Sequence, residues 1–129
     1  MASELRVNTL KDAAGNNSIA TSFVAGGSAK AWARIDSSGT MAAQNSLNLS
    51  SLTDGGVGQV EMNFSSSFND AEYAGAGMAG NNNTTTGNRS QVVDNTPATG
   101  NFHFRNITRT SAGNQDDANI MMSIHGDLA

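Results

Sequence analysis

The chain of 129 residues contains no cysteine, one proline, one tryptophan and one tyrosine. Without cysteine there is neither a disulfide nor a thiolate metal site, so the usual staples of a small domain are missing. The same lack fits synthesis in a reducing cytosol. Basic residues are few: seven Lys and Arg against eleven Asp and Glu leave a net charge of −4. A spread of seven cations gives no electrostatic footprint for nucleic acid, and none is expected as a partner. No apolar run approaches the ~20 residues of a membrane-spanning helix, so no membrane insertion is expected. The opening Met1 to Asn8 lacks the apolar region of a secretion signal. Leu, Ile, Val and Phe together supply only 22 of 129 residues, under the ~20 % that accompanies disorder. Disorder also needs a high net charge, which is absent here.

What is abundant is turn chemistry. Asn, Ser, Thr and Gly number 56, a supply that suits short strands and tight turns and gives long helices little to bury. Alternation of apolar and polar residues marks strand candidates. They fall over Leu5 to Leu10, Ser18 to Val24, Ala29 to Asp36, Leu47 to Ser50, Val60 to Phe64, Ala71 to Ala79, Phe102 to Ile107 and Ile120 to His125. Asp54-Gly55 lies between two of them as a hairpin signal. With no amphipathic helix beside them, these candidates predict one all-β antiparallel domain over 1–129, a β-sandwich or jelly-roll-like fold. Residues 1–17 stand apart as an N-terminal docking strand or arm. The polar run Asn81, Asn82, Asn83, Thr84, Thr85, Thr86, Gly87 and Asn88 is expected as an exposed loop.

Thirty large apolar residues must stabilise this domain without disulfide or metal. A core so thin is marginal for one chain, and sharing burial between copies is the economical remedy. An obligate oligomer is therefore expected.

No motif points to catalysis. Gly75-Ala76-Gly77-Met78-Ala79-Gly80 matches G-x-G-x-x-G, but that spacing binds a pyrophosphate only between a strand and a helix. Asn and Thr follow instead, so small residues in a closely packed strand are the better account. His103 and His125 are expected as ordinary strand histidines, and no G-x-S-x-G elbow accompanies them. Asp116-Asp117 lacks the remaining ligands of a calcium loop. Glu61, Asp70 and Glu72 would serve glycoside cleavage only if they converged from different strands. No catalytic residue, metal ligand or cofactor is expected. Trp32 and Tyr73 are amphipathic aromatics suited to a core, a subunit interface or a sugar ring.

Several segments resemble small tail-fibre-like virion structural proteins of marine tailed bacteriophages of the cyanophage type. They are Glu4 to Ser18, Gly27-Ser28-Ala29-Lys30-Ala31-Trp32, Ser46 to Gly58, Phe64 to Tyr73 and Ile120 to Gly126. The resemblance implies a homotrimeric β-rich protein on the virion surface, docked on other tail or capsid proteins and presenting polar loops. Trp32, Tyr73, Phe102 and Phe104 are the interface residues expected of such a subunit. A capsid decoration protein, a tip binding a host surface glycan, and a small polysaccharide-cleaving enzyme are the alternatives.

Overall fold

The computed structural model describes residues 6–80, 89–108 and 113–129. Among them, ten strands and one short helix follow in order. A small hairpin opens the chain, β1 (Thr9–Lys11) and β2 (Ser18–Ala20), and leads into α1 (Thr21–Gly27). Then come β3 (Ala31–Asp36), β4 (Ala42–Leu47), β5 (Leu49–Gly56), β6 (Gln59–Phe64), β7 (Ala74–Gly80), β8 (Arg89–Val93), β9 (Asn101–Thr108) and β10 (Asn119–His125). Every pairing is antiparallel. Two four-stranded sheets form, with strand orders β4-β3-β10-β7 and β5-β6-β9-β8. The fold is all-β, as the alternation predicts.

The central strands carry the core because only they alternate cleanly. Ala31, Ala33 and Ile35 of β3 and Ile120, Met122 and Ile124 of β10 are buried from one sheet. Val60, Met62 and Phe64 of β6 and Phe102 and Phe104 of β9 meet them from the other, with Phe68. Burying one such large side chain contributes about 1.5–3 kcal/mol. An aromatic chain runs through one end: Phe68 packs on Tyr73 with ring centres 4.6 Å apart and edge-on to Phe64 at 4.9 Å. Tyr73 stays anchored because its hydroxyl lies 2.7 Å from the Asn101 carbonyl and 3.1 Å from that of Ala98. Burial penalises the phenolate and pushes this phenol up to about 12.

Two backbone sites turn the chain. Asn48 takes a positive φ of 53° where β4 passes to β5 in the other sheet. Asn tolerates that conformation, and its amide locks the corner: Nδ2 donates to the Ser66 carbonyl, and Ser66 N–H donates back to Oδ1. The β5–β6 turn ends on Gly58, at φ +67°. A Cβ there would lie 2.8 Å from the Asn106 carbonyl oxygen, so glycine is required twice over.

Several sequence expectations are corrected. Ser18 to Val24 is not one strand: pairing with the three-residue β1 ends at Ala20, and the chain coils into α1. The ladder also begins only at Thr9, later than Leu5. β5 continues to Gly56, so Asp54-Gly55 is strand and the turn is Val57-Gly58. Strands β4 and β8 carry no apolar alternation, and their ladders to β3 and β9 make them strands. The loop expected over Asn81 to Asn88 lies outside the described residues.

Candidate docking surface

The two sheets differ in the side chains they turn outward. On the β5-β6-β9-β8 sheet, the residues between the core positions are polar: Glu61 pairs across from His103, and Gln59 from Arg105. Asp94, following β8, forms an ion pair with Arg105 and lies 3.5 Å from His103 Nδ1. No hydroxyl hydrogen-bonds to His103 among the described residues, and no cluster of three His, Asp or Glu able to hold a metal occurs among them. Asp116 accepts the Gly58 N–H at 2.7 Å, and Asp117 N–H donates to Ser37 Oγ at 3.0 Å. These carboxyl-bearing residues pin a turn.

The β4-β3-β10-β7 sheet carries an apolar strip outside, with Arg34 and Ser123 set into it. The register sets Ser123 between Trp32 and Ala76, and Met121 between Arg34 and Met78, with Leu47 beyond Trp32. Met78 is 65 % exposed, Leu47 48 % and Met121 44 %. Trp32, Arg34, Ala76, Met78, Met121 and Ser123 line an open groove of about 510 Å³. Arg34 is steered to one side by donating from Nη2 to Asn119 Oδ1 at 2.7 Å. Such a row of thioethers beside an indole is an adaptable apolar contact surface.

Sequence reading missed one pair on this face. Ser123 and His125 stand two apart on β10 and so share its outer side, with Ser123 Oγ 3.0 Å from His125 Nε2. His125 Nδ1 lies 3.1 Å from the Gly27 carbonyl oxygen, to which it donates. A hydroxyl, an imidazole and an orienting carbonyl resemble part of a hydrolytic site. Acyl transfer, however, also needs N–H groups aimed at a developing oxyanion, and the neighbouring backbone is committed to the ladders with β3 and β7. What His125 does is fasten the end of α1 to the sheet.

The segment so fastened is uncovered. None of residues 6–28 is buried, and Phe23 is 73 % exposed, with Leu10, Ile19 and Val24 also above two-fifths. Its hairpin turn is held by Asp12, which accepts from Asn17 Nδ2 at 2.6 Å and from Asn16 N–H at 2.9 Å. These bonds, the Asn17 side chain first, hold the Asp12 carboxyl below the usual carboxylate range.

The four aromatics named from the sequence separate. Trp32 is half-buried on the outer groove. Tyr73 is half-buried in the aromatic chain. Phe102 and Phe104 are 3 % and 1 % exposed; their rings are core because even positions of β9 face the opposite sheet, and they offer no contact surface in the folded chain. No helix among the described residues is long and apolar enough to cross a membrane. No family model, curated protein or solved structure matches the chain.

Proposed function

We propose that the chain is a non-enzymatic structural subunit of a tailed-phage virion surface, a single β-sandwich domain that assembles as a homotrimer and docks on other virion proteins. The observation that carries self-assembly is the distribution of apolar side chains. Twelve large hydrophobics are exposed among the described residues, as many as the twelve residues of the buried core. The virion assignment rests on the resemblance of segments spread from Glu4 to Gly126. Sedimentation equilibrium of the full chain at micromolar concentration tests assembly: a trimer is expected, and a well-folded monomer overturns it. Locating the subunit in a map of the particle tests the virion role and separates a tail position from a capsid decoration protein.

One observation favours a second reading. Trp32 presents part of its ring beside an open groove, a geometry that suits stacking on a host surface glycan. Glycan-array binding lost in Trp32→Ala would move the protein to that reading.

A further inference from the structure

We propose that Phe23 of one copy seats in the groove between Trp32 and Met121 of a neighbouring copy, so that the arm formed by residues 6–28 of each copy covers the outer sheet face of the next chain. This rests on the self-assembly proposed above and adds which surfaces meet.

Three observations carry it. The arm cannot persist uncovered: two three-residue strands and a seven-residue helix fall below the lengths that hold together alone in water. Its most exposed apolar side chain is Phe23, a ring that needs a pocket.

The second observation is position. His125 fastens Gly27 on the same side of the sheet as the groove, yet the arm leaves its own groove open, with Met78 and Met121 still exposed. Donor and acceptor surfaces therefore both exist on one chain and do not meet within it.

The third is area. The chain exposes 8040 Å², whereas a folded monomer of its mass exposes about 6,500 Å². An arm with no buried residue leaves surface free for a contact of about 800 Å² per partner, the usual share in a stable interface. A head-to-tail contact uses two different patches per chain, one giving and one receiving, and forms a ring where the rotation between copies closes. A face-to-face dimer would use only one.

The test uses the full chain in three forms: unchanged, Phe23→Asp and Met121→Asp. Both residues are exposed, so circular dichroism should be unaltered. Each single variant should associate at least about 30-fold more weakly, the loss expected for one large apolar side chain. Mixing the two variants should restore a heterodimer, because one supplies an intact arm and the other an intact groove. Retention of wild-type association by either variant overturns the arm–groove contact and leaves self-assembly standing. So does a mixture that stays monomeric when both variants are monomeric alone. A monomeric unchanged chain removes both. Because the chain lacks cysteine, Val24→Cys and Met78→Cys chains, which keep the Phe23 ring, provide an independent check with a short bismaleimide. A cross-link between chains is expected, and one formed only within a doubly substituted chain overturns the proposal.

Discussion

Replacing Gly77 by alanine should destabilise the fold, whereas the same change at Gly80, three residues along β7, should not. A Cβ at Gly77 would overlap the Gln91 side-chain oxygen, lie 2.6 Å from the Met121 carbonyl oxygen and 2.8 Å from Met122 Cε. Gln91 and Met122 have rotatable ends and can yield. The Met121 carbonyl belongs to β10, which pairs with β7 over seven residues, so it cannot move without opening that ladder. Overpacking of this kind costs about 1–3 kcal/mol, offset by the about 0.4–1 kcal/mol that alanine gains by restricting the unfolded chain. The net expectation is a loss of about 1 kcal/mol. At Gly80 a Cβ meets nothing within 4 Å, so only the gain of about 0.5 kcal/mol remains. Gly75→Ala, whose Cβ would touch the Phe102 ring at 3.1 Å, should fall between. Urea denaturation with unchanged m-values gives the stabilities, and Tm values of the Gly77 and Gly80 variants should differ by roughly 6 °C. Equal stability of the two would refute the close packing of β7 on β8 and β10. It would also reopen the question of why Gly75, Gly77 and Gly80 occupy that spacing.

Met62, fully buried on β6, should cost about 2–5 kcal/mol when cut to alanine, measured by urea midpoint. Tyr73→Phe should lose about 1 kcal/mol by deleting the hydroxyl bond to the Asn101 carbonyl. With its phenol pushed up to about 12 in the fold, Tyr73 contributes fully below pH 10 and loses that contribution as pH rises from 10 to 12. An alkaline melt followed by circular dichroism should therefore show a limb that Tyr73→Phe reduces; an identical limb would reject that cause. Asn106 is fully buried, with neither amide atom hydrogen-bonded among the described residues. Asn106→Leu, similar in shape, should raise stability by about 1 kcal/mol, and a clear fall in Tm would mean that the amide is engaged.

Much of this protein follows from local order in the chain. Alternation over Ala31 to Ile35, Val60 to Phe64, Phe102 to Phe104 and Ile120 to Ile124 determines four strands and their inward faces, because a strand's side chains change sides at every residue. The scarcity of large apolar residues likewise bounds the core. Tertiary structure decided what local order leaves open. Strands β4 and β8 exist because a neighbouring ladder satisfies their backbone, a partner that no alternation within Ala42 to Leu47 or Arg89 to Val93 announces. Sheet order placed Trp32, Met78 and Met121, separated by up to 89 positions, on one outer face. It also enclosed Phe102 and Phe104, which as a bare alternating sequence suit a core or an interface equally. Which of two faces is inside depends on the opposite sheet, and that is a property of the fold.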